Sequence, residues 1–419
     1  MKISKITSRQ ILNSRGNPTV ETDIVIDDKF VGRSAVPSGA SVGSHEVLEL
    51  RDNDPKFYHG QGVLTAVNNV NSKIQEFLIG KNDLSQEQLD NMLIQLDGTE
   101  NKEVLGANAI LSVSMAYAWA KSKAENIMLF EYFGNLFENK DYKMPRPMFN
   151  IMNGGKHANW ATDIQEYMLI PVNSNSWANS LRIGSEVYHS LEKLLNEKGY
   201  SINVGNEGGF APGLASNKEA LELMVKAVET AGYILGTDVK FGFDAAASEF
   251  YNNETQKYEL KRDKRILSKE EMLDYVIDIS NKFPVESLED MFDEDDWESW
   301  TKLTERVGDK IQIVGDDLLV TNAKRVQKGI DAKACNAMIV KMNQIGTITE
   351  TLSAMKLSAS AGWKNVVAHR SGETEDVTIA HLAVGTGCGQ IKTGAPSRGE
   401  RTAKYNELLR IEEYLQNKI

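Results

Sequence analysis

The sequence predicts an α+β N-terminal domain followed by a modified (β/α)8-type barrel, and three observations carry that prediction. Residues 2–36 alternate apolar and polar positions in three runs, ISKITSRQIL, TVETDIVID and FVGRSAVP, as half-buried strands do. Beyond about residue 140, short apolar runs alternate with long amphipathic segments, the pattern of strands and helices in an α/β layer. At 419 residues the chain is also too long for one small core.

The first domain begins with the meander, punctuated by Gly16–Asn17–Pro18 and turning around residues 27–29. PSGASVGSH, residues 37–45, has small hydroxylated residues and no periodicity. It reads equally well as a plain linker or as a loop that closes over a ligand and offers Ser41 to a cation. From residue 62 to 124 the pattern is helical, with VLTAVNNVNSKIQEFL, a polar segment opening at Ser85, and ANAILSVSMAYAWAKSKA, whose small residues suit close helix packing. The proline-rich MPRPM that opens at Met144 suggests a boundary near residue 140, dividing the chain into 1–140 and 141–419.

In the second domain the strand candidates are 164–171, 201–205, 239–244, 284–289, 311–316, 337–342, 365–369 and 389–393. Helix starts are marked by Ser216 with Glu219, Ser268 with Glu271, and Thr347 with Glu350, and Gly362 is placed to end the third helix. Two consecutive strands before the second helical segment point to a modified start of the barrel.

Composition narrows the function. Lys plus Arg number 47 and Asp plus Glu 59, a net charge of −12, which argues against a general binder of nucleic acid or anionic membrane. Cys335 and Cys388 lack metal-ligand spacing and read as free thiols in a reducing compartment. The start, MKISKITSRQ, has no apolar signal region, and no run reaches the length of a membrane span. The expected location is therefore the cytoplasm.

The chemistry-bearing residues fall at strand ends. Asp244 ends KFGFD, Glu289 ends VESLE, Asp316 ends IQIVGD, Lys341 ends MIVK and His369 ends NVVAH. In a barrel these ends share the face where active sites sit. Three carboxylates converging there repel one another and call for a hard cation, with Mg2+ the default. The alternative, that each acid caps the following helix, fits one acid better than three on consecutive strands. Lys341 lies in an apolar run, and burial would push its pKa down towards the range of a general base. Alternatively it snorkels to water or pairs with a carboxylate. Arg370, Ser371 and Lys392 suit a phosphate or carboxylate, although Arg370 has Glu373 and Glu375 as nearby partners and Lys392 has room to snorkel. Glu207, in GNEGG, is either a second acid/base or a solvent-facing side chain, and His157 and Glu166 bracket the first strand candidate. A lysine base beside a divalent cation can remove a proton next to a carboxylate, and a glutamate opposite can help hydroxide leave. Together these steps are a β-elimination of water.

Twelve motifs then stand in order along nearly the whole chain: SRGNPTVE, PSGASVGSHE, ELRD, NGGKHA, QEYM, EGG, SEFY, EDDWE, DDLLVTN, KMNQIGT, HRSGETED and GQIKTGAP. In this set the chain resembles the enolase family, in whose superfamily a Lys or His base works beside one or two Mg2+ ions. The resemblance implies reversible dehydration of 2-phospho-D-glycerate to phosphoenolpyruvate in glycolysis and gluconeogenesis. It implies Lys341 as the base at C2 and Glu207 as the acid at the C3 hydroxyl. Asp244, Glu289 and Asp316 match the ligands of a structural Mg2+, and Ser41 the contact of a second Mg2+ that binds with substrate. His157, Glu166, Arg370, Ser371 and Lys392 match the substrate-binding set, with His369 lining the pocket. It further implies a homodimer or an assembly of dimers, with Glu21 and Arg410 as a charge pair across the interface. A secondary surface or secreted location also follows from the resemblance. The chain departs from the family pattern at Gln10, Asn13, Trp160, Asn206, Met291 and His381. Among these, Asn206 bears on the pKa of Glu207 and Trp160 on the mouth of the site. Competing readings are a related lyase or racemase acting on unphosphorylated acid sugars, and a non-catalytic scaffold.

Overall fold

Strands β1 (Ile3–Leu12), β2 (Pro18–Ile26) and β3 (Phe30–Ala35) pair antiparallel as the alternation predicts, in a computed structural model that describes residues 1–417. The turn between β2 and β3 puts Asp27 and Asp28 at positive φ, a conformation that Asp tolerates better than most residues. Ile6, Val20 and Ile24 bury one face of the sheet against Ile110, Val113 and Tyr117 of the helix Ala107–Ala124. The contact is close enough to require glycine in β3: a Cβ on Gly32 would lie 2.0 Å from the carbonyl oxygen of Ala116. Before that helix come a helical stretch over 64–78, π-wound across Val70–Ile74, and the helix Gln86–Asp97, which opens with a full capping box on Ser85.

Among the described residues, eight strands close into a barrel. In chain order these are β4 (Arg146–Asn153), β5 (Glu166–Pro171), β6 (Val239–Asp244), β10 (Val285–Glu289), β11 (Gln312–Gly315), β12 (Ala337–Val340), β13 (Lys364–Ala368) and β14 (Gly389–Lys392). Between β6 and β10 a small separate sheet holds β7 (Tyr251–Asn252), β8 (Lys257–Leu260) and β9 (Arg265–Leu267). Seven barrel strands coincide with sequence candidates, and one does not. The segment 201–205 is no strand: residues 201–204 are exposed, and only Val204 makes an isolated bridge, to Phe210. Its place is taken by β4, hidden in the sequence by Pro147 next to its start. From Pro147 to Asn153 every residue is buried, and β4 pairs with both β14 and β5.

The start of the barrel is indeed modified. β5 runs antiparallel to both neighbours, β4 and β6, whereas the other barrel pairings are parallel. Two helices, Trp177–Glu197 and Asn217–Thr230, then follow before β6. Met148, Met168, Ile170, Val314, Ala337, Ile339 and Val366 form a compact cluster from alternate strand positions, and their strand neighbours pack in the larger apolar cluster shared with the helices.

The N-terminal helices lock onto the barrel through buried polar contacts at the helix Ile348–Ser360. Its first turn is capped by Thr347, and two of its free N–H groups are taken up from across the junction. Ile348 N–H donates to Ser114 Oγ at 3.1 Å and Thr349 N–H to Asp90 Oδ2 at 2.9 Å. The buried Lys102 ammonium adds a 3.0 Å pair with Glu350. No helix among the described residues is long and apolar enough to cross a membrane.

Candidate active site

The barrel topology delivers the predicted residues to one rim. Asp244, Glu289 and Lys392 end their strands, while Asp316, Lys341 and His369 come one residue after theirs. Glu166 reaches the same rim from the start of its strand because β5 is reversed, which sets it opposite Asp244 and Asn153. A pocket there is lined by Ser41, His157, Glu166, Glu207, Asp244, Asp316, Lys341, His369, Arg370, Ser371 and Lys392. Glu289 joins them through its bond to Lys392.

Lys392 does not snorkel. Its buried ammonium lies 2.7 Å from Glu289, 3.0 Å from Glu166 and 3.6 Å from Asp244. Burial alone would lower its pKa, but those acids raise it well above the lysine range. Glu289 is pushed up to about 8 by burial, with Asp244 and Asp316 adding to the shift and Lys392 opposing it. Its Oε2 is buried without a hydrogen-bond partner among the described residues. Asp290, Asp316 and Asp317 crowd their carboxylate oxygens within 4.8 Å of one another, and burial with mutual repulsion raises Asp290 and Asp317 well above the usual range. That group shares only Asp316 with the predicted triad, Asp244 and Glu289 being gathered at Lys392; the acids together outnumber Lys341 and Lys392, and such an all-oxygen surplus fits a hard divalent cation.

The expectation that Lys341 has a lowered pKa is overturned, and the alternative of a carboxylate pair holds. Burial, Arg370 and Lys392 do lower it, but Asp316, with which Lys341 is paired, and Glu289 act the other way, and the net shift is upward. Asp316 is held low in turn, burial being outweighed by Lys341 and Lys392. Gln344 donates to the other Asp316 oxygen at 2.8 Å, and Asp290 accepts the backbone N–H groups of Asp316 and Asp317 at 2.9 and 2.8 Å.

Across the pocket, Glu207 accepts from Asn150 at 2.9 Å and lies 3.2 Å from His369 Nε2 and 3.5 Å from His157 Nδ1. Burial opposes ionisation of Glu207, but its contacts with His157 and His369 and the nearby charge of Arg401 hold its pKa well below the usual range. His157 is also 3.6 Å from Glu166, whose pKa burial and Glu207 raise.

Segment 37–46 lies closed over the rim. Ser38 and Gly372 exchange backbone hydrogen bonds at 2.8 Å, and Ala40 N–H donates to Ser371 Oγ at 2.7 Å. The Ser41 hydroxyl donates to Glu249 at 2.6 Å, while its carbonyl accepts from Arg370 at 3.0 Å. Arg370 is forked onto Glu46 at 2.8 and 3.0 Å, both side chains being buried. The surface partners considered from sequence are not used by its guanidinium; Glu373 accepts its backbone N–H at 3.2 Å.

Glu46, Asn150, Asp290, Asp317, Gln344 and Arg401 are the site residues that sequence reasoning missed. All but Asn150 and Arg401 lie inside or beside the quoted motifs, which was the available signal. The departures from the family pattern find partners in part, Asn13 Nδ2 and His381 Nδ1 being buried without one among the described residues. Asn13 Oδ1 accepts from the N–H groups of Arg15 and Asn17, and Gln10 accepts from Val63 N–H at 2.9 Å. Met291 packs in an apolar pocket wall, and His381 lies 3.1 Å from Glu407. Asn206 donates through its backbone to the His157 carbonyl at 3.0 Å. Trp160 is not among the residues lining the active-site pocket; its carbonyl accepts from Arg262 at 2.7 Å.

A closed barrel with acids, a paired lysine and a covering loop gathered at its C-terminal rim defines a barrel enzyme. The family model described as "Enolase, C-terminal TIM barrel domain" matches residues 141–419, and "Enolase, N-terminal domain" matches residues 3–133. The chain belongs to the enolase family, whose members are generally metal-dependent lyases.

Proposed function

We propose that the chain dehydrates 2-phospho-D-glycerate reversibly to phosphoenolpyruvate, as a phosphopyruvate hydratase. The observation that carries this reading is the placement of Lys341 and Glu207 in one buried pocket with Arg370, Ser371 and Lys392. Mg2+ held by Asp244, Glu289 and Asp316, with a second ion arriving with substrate near Ser41, would polarise the substrate carboxylate and acidify the proton at C2.

The residues supply the rest. Lys392 and Arg370 attract the carboxylate and phosphate, and Ser371 adds a hydroxyl. In the resting site Asp316 keeps Lys341 protonated. Once Asp316 and Glu289 are engaged elsewhere, the remaining influences on Lys341 are burial, Arg370 and Lys392, and all three lower its pKa. The lysine then takes the C2 proton. Glu207 rests ionised, and the negative charge of the substrate pushes its pKa back up, so that it can pass a proton to the departing C3 hydroxyl. The same reading carries a domain division near residue 140, a homodimer with a Glu21–Arg410 contact between copies, and a cytoplasmic setting.

The test is the absorbance of phosphoenolpyruvate formed from 2-phospho-D-glycerate with ample Mg2+. Turnover by the wild type and its loss in Lys341→Ala are expected. A wild type without turnover would refute the reading, and activity on an unphosphorylated acid sugar instead would assign another reaction of the superfamily.

A further inference from the structure

The Arg401 guanidinium makes four hydrogen bonds beside the site, as many as that of Arg370, yet it takes no part in the chemistry proposed for the pocket. It is fully buried at 0% exposure, near the start of the helix Gly399–Asn417. One terminal nitrogen lies 2.7 Å from His369 Nδ1 and 2.7 Å from the Arg370 carbonyl. The other donates to the carbonyls of Asn206 at 2.8 Å and Ser371 at 2.7 Å. Its Nε lies 3.3 Å from Glu400. One planar group thus ties the backbone before Glu207 to the backbone of the anion-binding segment.

We propose that Arg401 is a positioning residue that fixes the tautomer of His369 and so places a proton on the ring nitrogen beside Glu207. Arginine stays charged and has donors but no acceptor, so in its contact with His369 the nitrogen Nδ1 must accept. A neutral imidazole that accepts at Nδ1 carries its proton on Nε2. That Nε2 is the atom 3.2 Å from Glu207 Oε2; it is buried and makes no aligned hydrogen bond there, so its proton lies beside the carboxylate and a small turn of the ring would align the two. Neutrality is supported by burial and by the Arg401 charge, which bring His369 down to about 4 despite Glu207. With the other tautomer, Nε2 would present a lone pair to a carboxylate, and the two would repel. Arg401 therefore leaves the Nε2 proton on the side of the ring that faces the Glu207 carboxylate. A lysine would replace the charge but not the fork that reaches both Nδ1 and three carbonyls.

The catalytic consequence rests on the reading under Proposed function; the tautomer does not. The experiment uses the full chain with 15N-labelled histidine and long-range 1H–15N correlation, His369 being assigned by its disappearance in His369→Gln. In the wild type between pH 6 and 8, His369 is expected to show an unprotonated Nδ1 and a protonated Nε2. A wild-type spectrum with the proton on Nδ1 overturns the proposal without recourse to any variant.

Arg401→Gln is expected to shift His369 towards the other tautomer. It should also lower kcat about 100-fold, at the lower end of acid–base contributions, with KM changed less than about threefold. Arg401→Lys should recover part of both effects, and it serves in place of Arg401→Gln if that variant does not fold. If the wild type turns over and a folded variant at 401 keeps wild-type kcat and tautomer, the inference falls. If the wild type has the expected tautomer but no turnover, only the functional reading falls.

Discussion

Asp90 offers a measurement of what the junction between the N-terminal helices and the barrel costs at neutral pH. Its carboxylate is fully buried and accepts from Thr349 N–H at 2.9 Å, Thr349 Oγ1 at 2.6 Å and Gln86 Nε2 at 3.1 Å. Burial outweighs these bonds and raises its pKa to about 6. Because the folded value lies above the unfolded one, near 3.9, the folded state binds the extra proton in between. Stability is therefore highest below the unfolded value, falls as pH rises to the folded value, and is flat above it. Two pH units at 1.36 kcal/mol each give a total of about 3 kcal/mol, of which about 1.4 kcal/mol falls between pH 5.0 and 7.5.

Asp90→Asn cannot titrate. The unfolding free energy of the variant minus that of the wild type should rise by about 1.4 kcal/mol from pH 5.0 to 7.5. A constant offset from the exchanged hydrogen bonds drops out of this difference. Urea unfolding at the two pH values measures it, restricted to the transition in which the Thr349 amide loses its exchange protection, since two domains need not unfold together. A difference that stays flat with pH within about 0.3 kcal/mol, the usual error of such comparisons, would refute the reasoning.

Three further outcomes follow from the packing and the rim. Gly32→Ala forces a methyl into the backbone of the helix Ala107–Ala124, which cannot yield as a side chain would; a loss of about 3 kcal/mol or more in urea unfolding is expected. Glu46→Gln breaks the buried fork with Arg370, costing roughly 3 kcal/mol, and residues 37–46 should be cut faster in limited proteolysis; unchanged cleavage would deny that this pair holds the loop. At 100 times its dissociation constant, Mg2+ should stabilise the protein by about 2.7 kcal/mol in thermal unfolding, with EDTA reversing the gain. Asp316→Asn should reduce that gain, and an equal gain in both proteins would place the cation elsewhere.

What was legible in the sequence followed from local physics. Alternation marked the meander, and Ser216, Ser268 and Thr347 each cap a helix through their side chains, because both halves of a cap lie within four residues. The rim residues were legible because strand ends are local too. What was not legible depended on partners far along the chain. The apolar neighbours of Lys341 leave open both a lowered pKa and a carboxylate pair, and the partner that decides between them is Asp316, 25 residues away. Arg370 was offered nearby acids, but its fork closes on Glu46, 324 residues away. Arg401 sits in a polar stretch that resembles any solvated helix start, and only the folded barrel brings His369 to it. β4 was lost for a different reason: proline beside a strand start reads as punctuation, although the missing N–H costs nothing where the ladder does not need it.

The reversal of β5 changes where the barrel tolerates length variation. For the parallel strands, the connection that follows the strand carries the rim, and the one before it lies at the opposite end. Glu166 stands at the entrance of its strand, so the segment between Asn153 and Glu166 is what sets its position. One residue inserted there would leave the buried strand in register and instead break the bonds of Gly154 N–H to the Gln165 carbonyl and Gly155 N–H to the Thr162 carbonyl, which hold the turn beside Glu166. The same insertion after Pro171, on the far side of the barrel, would leave the rim untouched. Length variation should therefore be tolerated at that lower connection and excluded from the upper one.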